Sequence, residues 1–316
     1  MIIDLRTRIW SKLDLLGTEI ANQLRRRYAD RWNMLDGSAA GHDRASGCVT
    51  ASCVLGFRSD LLGATLPNEV IAEFVAGDPR RRVGIAGIDP MSPNAMTELE
   101  KAVHLGLCGV CLSPGMQGYH PAHSLAMRVY ERCAELHLPV FVTNDIPHSA
   151  STVLEFARPY LFDEVARSVP TLKLVIGEMG WPWVSETIAL IAKHPNIYAD
   201  VACLGGKPWE LYNALVAADG AEVMDKILFG SGGPFVTPSQ AIEAMYSLNA
   251  FAQGTHLPTI QRSLIRSIIE RDSLQALGIE SEISNQRMES RTTDESDPFS
   301  EMAHAAAEAD EDDDAE

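Results

Sequence analysis

The chain has 316 residues, of which 46% are hydrophobic and 22% charged, an ordinary globular composition with enough apolar mass for one large core. Its net charge of −17 is uneven: residues 281–316 hold 13 Asp or Glu against two Arg, a net of −11, which leaves −6 for residues 1–280. Recognition of nucleic acid or an anionic membrane by overall charge is therefore not expected. No apolar run is long enough to span a bilayer, and Met1 leads straight into the strand-like MIIDL, so a soluble cytoplasmic protein is the expectation. The six cysteines (Cys48, Cys53, Cys108, Cys111, Cys133 and Cys203) are scattered through apolar segments, as reduced core thiols would be.

Met1–Arg8 reads as a first strand, with Asp4, Arg6 and Arg8 on one face and Ile3, Leu5 and Thr7 on the other. Ser11–Arg31 follows as a polar helical stretch carrying the Arg25–Arg27 cluster, which reads as a solvated face. Leu35–Gly47 reads as a loop. Cys48–Phe57, Arg82–Asp89, Gly109–Ser113 and Pro139–Asn144 read as strands two to five. Helices are expected between them at Pro67–Ala76, Met96–Leu105 and Pro121–Leu136, the last with Leu125, Val129, Cys133 and Leu136 on one stripe. Leu154–Val169 reads as helical.

The stretch Leu172–Ala202 is the clearest unit in the chain. Leu172–Gly177 is an apolar run of strand length ending at the carboxylate of Glu178. Gly180 and Pro182 suit a turn into a helix over Trp183–Lys193, which His194-Pro195-Asn196 stops, and a strand resumes at Asn196–Val201. Strand, helix and strand within about 30 residues make a βαβ unit and imply a parallel sheet. A charged group ending a buried strand is costly unless paired or functional. Trp209–Met224, an eighth strand at Lys226–Gly230, and helices over Pro238–Gln253 and Thr259–Leu277 complete the order.

Eight strands with helical links predict a single-domain (β/α)8 TIM barrel over residues 1–280. No GxGxxG or GxxxxGK[ST] fingerprint follows the first strand, which disfavours an open nucleotide-binding sheet. Residues 281–316 are poor in apolar groups and read as a disordered acidic tail.

The runs MIID, QGYHP, LEFARPYLFDEVARSVPTLKLVIGEMGWPW, HPNIYADVA, LYNALV and DKILFGSGGPF resemble the amidohydrolase-related family that includes aminocarboxymuconate-semialdehyde decarboxylase. The resemblance covers roughly residues 1–279 and implies a (β/α)8 barrel with a divalent metal, usually zinc, at the mouth. It also implies ligands from an HxH pair on strand one, a His ending strand five, a His ending strand six and an Asp ending strand eight. Those places hold Arg6 and Arg8, Thr143, Glu178 and Gly232. Arginine has no lone pair to give a metal and glycine has no side chain. No metal or other cofactor is therefore expected.

Two guanidinium groups and one carboxylate would share the site, Arg6 or Arg8 pairing with Glu178 and Asp4 taking the other arginine. The candidate ligand-binding residues are Arg6, Arg8, Thr143, Glu178 and Trp181, with Glu178 the one candidate acid or base, and a small carboxylate or phosphate as ligand. His120, His123 and His148 lie in loops near the expected mouth, where a metal site can be rebuilt. Ser113 and Ser231 have no evident base, and no GxSxG elbow occurs.

Three functions follow. The first is a non-catalytic anion-binding or regulatory protein. The second is an active hydrolase or decarboxylase on a small carboxylate, metal-independent or with a rebuilt site. The third is a scaffold working through its acidic tail. A homodimer is what the resemblance implies for assembly.

Overall fold

Alternate residues of successive strands separate into two apolar clusters, and that separation defines the architecture. One cluster joins Val54, Ala86, Val110, Val140, Leu174, Ile197 and Ile227 to helix residues such as Ile71, Leu99, Val129, Ile191 and Ile268. The other joins Ile3, Cys53, Ile85, Cys111, Phe141, Val175 and Leu228. The first is the layer between sheet and helices; the second fills the inside of a barrel.

The computed structural model describes residues 1–29, 35–143, 149–279 and Ile283. The expected acidic tail thus falls, Ile283 apart, outside the described residues, as does His148.

Eight strands run in chain order around one parallel sheet. They are β1 (Ile3–Thr7), β2 (Ala51–Leu55), β3 (Arg82–Gly87), β4 (Val110–Leu112), β5 (Val140–Val142), β6 (Leu174–Ile176), β7 (Ile197–Asp200) and β8 (Ile227–Leu228). The seam between β8 and β1 is closed by Leu5 N–H on Phe229 O (3.1 Å), Gly232 N–H on Arg6 O (3.0 Å) and Arg8 N–H on Gly233 O (2.8 Å). The expected (β/α)8 barrel is therefore present. A short helix, Ser273–Leu277, places Leu274 and Leu277 in the interior cluster and accepts Lys173 Nζ at Ala276 O (2.9 Å). Lys173 precedes β6, so this helix floors the barrel at the strands' N-terminal end.

Three details differ from the expectations. The Leu35–Gly47 segment contains a helix, Ala39–Ala45, which starts because Ser38 Oγ accepts Gly41 N–H (3.0 Å) and so caps it. A hairpin of Phe57–Ser59 with Ala64–Leu66 follows β2. In the helix Ser124–Glu135 the buried stripe keeps the expected Val129 and Cys133 but adds Ala126 and Tyr130, while Leu125 is exposed.

Among the described residues no helix is long and apolar enough to cross a membrane. Burial pushes the Cys133 thiol up to about 12 and that of Cys53 higher still, so both stay protonated as core groups.

Candidate functional site

The mouth is shaped by an irregularity in β1. Ile3 pairs with Ala51 and Asp4 with Ser52, but Thr7 pairs with Val54, so β1 has one residue more than β2 over this span. Such a bulge breaks the two-residue alternation. Ile3 and Leu5 join the interior cluster, while Arg6 and Arg8 still reach across the barrel and Thr7 turns to His42. The simple two-faced first strand read from the sequence is corrected by that extra residue.

Arg6 is fully buried and faces Asp200 at the end of β7. Its Nε and Nη2 donate to Asp200 Oδ2 at 2.8 and 2.6 Å, and Nη2 also reaches Val142 O at 3.3 Å. Both side chains of the pair have zero exposure, so their charges interact with little screening by water. Gly177 lets the guanidinium in: a methyl there would stand 2.8 Å from Arg6 Cζ and from Val142 O. The expected pairing of an arginine with Glu178 is thus replaced, for Arg6, by Asp200. Asp4 does not take the other arginine. Its Oδ1 accepts Ser231 N–H (2.8 Å) and Arg6 N–H (3.2 Å), and its Oδ2 accepts the Ser231 hydroxyl (2.6 Å). Burial raises the Asp4 carboxyl to about 6, against those hydrogen bonds, with repulsion from Asp200 adding to the rise.

Asp200 has a second task. Its Oδ1 accepts the backbone N–H of Glu178 and of Ala202, both at 3.0 Å. Glu178 and Met179 have φ of 55° and 53°, and Gly180 follows at 67°. Non-glycine residues in that region cost about 1–3 kcal/mol each and persist only where the surroundings fix them. The Asp200 carboxylate fixes Glu178 from below, and Trp181 N–H on Glu178 O (3.0 Å) closes the turn. At position 180 only glycine fits, since a methyl would stand 2.1 Å from Thr187 Oγ1. Glu178 is thereby held, 4% exposed, at the mouth.

Arg8 spans the opposite side. Nη1 donates to Gly56 O (3.0 Å), and Nη2 to Thr143 Oγ1 (3.2 Å) with Cys111 Sγ at 3.6 Å. Thr143 ends β5, and its N–H donates to Leu112 O (2.9 Å). Ser113 follows β4 and is fully buried; its N–H donates to Gln117 Oε1 (2.8 Å), but its hydroxyl has no hydrogen-bond partner among the described residues. A buried hydroxyl left so costs about 1–3 kcal/mol. Trp181 is half-buried, packed on the outer core, with Lys207 Nζ 3.5 Å over its ring.

The structure thus brings Arg6, Arg8, Thr143 and Glu178 to one barrel end, with Trp181 at its rim. His120 and His123 serve their own local turns instead. His120 Nδ1 accepts Ala122 N–H (3.1 Å), and His123 Nδ1 accepts Leu125 N–H (3.2 Å) as a helix cap. Among the described residues no three His, Cys, Asp or Glu side chains stand together as a metal site. The divalent metal that the resemblance implies does not fit these residues. A guanidinium fills the space between the ends of β5, β6 and β7. At Gly232, φ is +83° and a Cβ would stand 2.3 Å from Cys203 Sγ, so no carboxylate can project there.

A Thr–His–Asp alignment lies near the seam and is not a nucleophile. Thr7 Oγ1 is 3.0 Å from His42 Nε2, but it donates its proton to Cys53 O at 2.8 Å, so the imidazole must donate to it. His42 Nδ1 is 3.7 Å from Asp43, too long for the orienting bond. An open cleft of about 430 Å³, lined by Tyr198, Lys226, Arg271 and Gln275, sits at the floor.

Asp200 is the residue that sequence reasoning missed. Its signal was the one that singled out Glu178: an acidic residue ending an apolar strand, here in NIYADVA.

A sequence profile described as Amidohydrolase matches residues 58–264, more than half of the chain. The chain belongs to the amidohydrolase family. No curated protein sequence matches it. Among solved structures, it is similar to an uncharacterized TIM-barrel protein from Bordetella bronchiseptica at 20% identity, with 88% of this chain and 98% of that one covered and a TM-score of 0.66. A probable 2-pyrone-4,6-dicarboxylic acid hydrolase from Acinetobacter baumannii, with citric acid bound, is 15% identical over 88% of this chain and 99% of that one, TM-score 0.61. The 5-carboxyvanillate decarboxylase of Sphingomonas paucimobilis is 14% identical over 89% and 99%, TM-score 0.61. At these identities the likeness is one of fold.

Proposed function

We propose that this chain is a metal-independent member of the amidohydrolase family that holds a small organic acid at the barrel mouth and does not run the metal route to hydrolysis or decarboxylation. The observation that carries this reading is the Arg6 guanidinium fixed by Asp200 between the ends of β5, β6 and β7. A permanently protonated group there cannot polarise and deprotonate a water as a Lewis-acidic ion does. The mouth gathers the Arg8 guanidinium, bonded to the Thr143 hydroxyl, with the Trp181 ring at the rim. Such groups recognise a carboxylate and an apolar body. Two of the similar folds carry names for acids as substrates, the 2-pyrone-dicarboxylic acid hydrolase and the carboxyvanillate decarboxylase. Support for the reading comes from that chemistry, not from their low identity.

The test is elemental analysis of the purified chain before and after chelation, with a thermal-shift screen of small carboxylates and phosphates. The expected result is no stoichiometric transition metal, and a melting temperature raised by at least one carboxylate regardless of chelator. Zinc or manganese at one ion per chain, or turnover of an acid that a chelator abolishes, overturns the proposal.

A further inference from the structure

We infer that residues 10–28 are a strap laid across the barrel mouth, and that it lifts as one unit to admit a small molecule while the barrel beneath stays folded. The lifting stands on the geometry that follows; only its use as the entry route for an organic acid rests on the reading above.

The strap runs through a short 3-10 helix, Leu13–Leu16, and an α-helix, Thr18–Arg27. It reaches loops on opposite sides of the barrel. Trp10 and Tyr28 meet Phe235, which follows β8, with ring centroids 5.9 and 6.5 Å apart. Leu13, Leu16, Ile20 and Leu24 share one apolar cluster with Phe57, which follows β2, and Met116, which follows β4. At the far rim the Glu19 carboxylate accepts the Ser151 hydroxyl (3.0 Å). Two residues on, Val153 N–H donates to Gly115 O (2.9 Å), so this rim lies beside the loop after β4. In a barrel ordered β1 to β8, β8 and β4 face each other, and a segment that meets the loops after both crosses the mouth.

Three observations make the strap a unit of its own. Its apolar cluster shares no residue with the sheet–helix layer or with the barrel interior. Arg8 lies between, with Cζ 5.6 Å from the Phe57 ring centroid and Nη2 3.6 Å from Cys111 Sγ. Lifting the strap therefore opens one satellite cluster and leaves the two clusters of the barrel packed. Within the strap, Arg25 Nη2 bonds Asp14 Oδ1 at 2.7 Å and ties its two helices together. At the far rim, Glu19 and Ser151 are both exposed, and a contact of that kind holds weakly. The closed position buries Arg8 and Cys111 to 1% exposure, so the strap's movement is what gives a small molecule access to them.

The test uses native thiols of the full chain. Cys111 faces the mouth beside Arg8, whereas Cys133 lies in the sheet–helix layer and reports opening of the barrel itself. Both are reacted with methyl methanethiosulfonate, a small neutral probe, without denaturant. Modification is followed by peptide mass spectrometry, and each rate is divided by that of the same thiol in the urea-unfolded chain. The expected result is that Cys111 reacts about tenfold faster than Cys133. In Glu19→Cys with Ser151→Cys, a short bis-maleimide bridge should slow Cys111 to the Cys133 rate, and the unbridged variant should not be slowed. Ser151→Ala, which takes the hydroxyl from Glu19, should speed Cys111 roughly threefold and leave Cys133 unchanged. Equal rates for Cys111 and Cys133 in the native chain overturn the inference. So does a bridged chain in which Cys111 stays fast, because access then runs by another route. None of these readouts needs an acid to bind. A gated Cys111 with no carboxylate raising the melting temperature keeps the strap and removes the acid-binding reading alone.

Discussion

Asp200→Asn tests the centre of the structure with one atom exchanged. The asparagine oxygen can still accept Glu178 N–H and Ala202 N–H, which now share Oδ1. Its amide nitrogen must then face Arg6 Nε and Nη2, which now meet Oδ2 at 2.8 and 2.6 Å. Donor faces donor, and a guanidinium with zero exposure loses the counter-charge of Asp200. Breaking one side of a buried ion pair costs about 3–5 kcal/mol. With an unfolding entropy of about 2.1 cal/mol/K per residue over a barrel of this size, the melting temperature should fall by roughly 5–9 °C. Replacing both partners, as Arg6→Met with Asp200→Asn, removes the stranded charge, keeps an acceptor for Glu178 N–H and Ala202 N–H, and should recover most of the loss. Urea unfolding of wild type, both single variants and the double variant gives the coupling free energy directly. A fall of less than 2 °C for Asp200→Asn, or a double variant no better than the worse single, refutes the claim that this pair is a buried, mutually neutralising centre.

Two further outcomes follow from groups around the same seam. The Asp4 carboxyl is raised to about 6 in the folded chain, so between about pH 4 and 6 the native state binds more protons than the unfolded one, and this residue lowers stability as pH rises. His42 is lowered to about 4, mainly by burial, so over about pH 4 to 6.5 it raises stability as pH rises. Each contribution approaches about 3 kcal/mol, and they oppose. Urea midpoints of wild type should therefore change little across that window, while Asp4→Asn steepens the loss on acidification and His42→Gln reverses the slope; parallel profiles for all three proteins would contradict both assignments. Gly232→Asp, which puts back the acid that the resemblance places on the last strand, should bind no zinc by elemental analysis and should melt lower, because φ is +83° and the new Cβ meets Cys203 Sγ at 2.3 Å; a zinc-loaded variant of unchanged stability would show that the loop is not committed to glycine.

Most of the barrel was legible because its signals are local. Buried parallel strands such as LKLVI and KILFG are short apolar runs bounded by turns, and the helices between them are amphipathic. The first helix-bearing loop was missed because seven residues beginning AAGHD carry no apolar stripe, and its start depends on one serine cap. The site was legible only in part, for a different reason. Arg6 and Arg8 were visible as residues out of place, but their partners were not, since a strand's sequence says which side chains leave its face and not which strand they meet. Asp200 is 194 positions from Arg6. The bulge that re-aims Arg6 is likewise a property of the pairing of β1 with β2, and neither strand declares it alone.

The same geometry explains how a guanidinium can tie the strand ends of a barrel mouth together. An ion held at a mouth ties several strand ends together, and removing it would leave acidic and polar groups buried without compensation. Here one guanidinium takes up that tie: Arg6 leaves β1, bonds the carboxylate ending β7, touches the carbonyl ending β5 and lies on the glycine that follows β6. The bonded carboxylate in turn fixes the left-handed turn at Glu178. Four strand ends are joined by one organic cation and its counter-ion. The tie needs no lone pair from a ligand set, and it leaves the mouth with two arginines, Arg6 and Arg8, among three buried carboxylates, Asp4, Glu178 and Asp200.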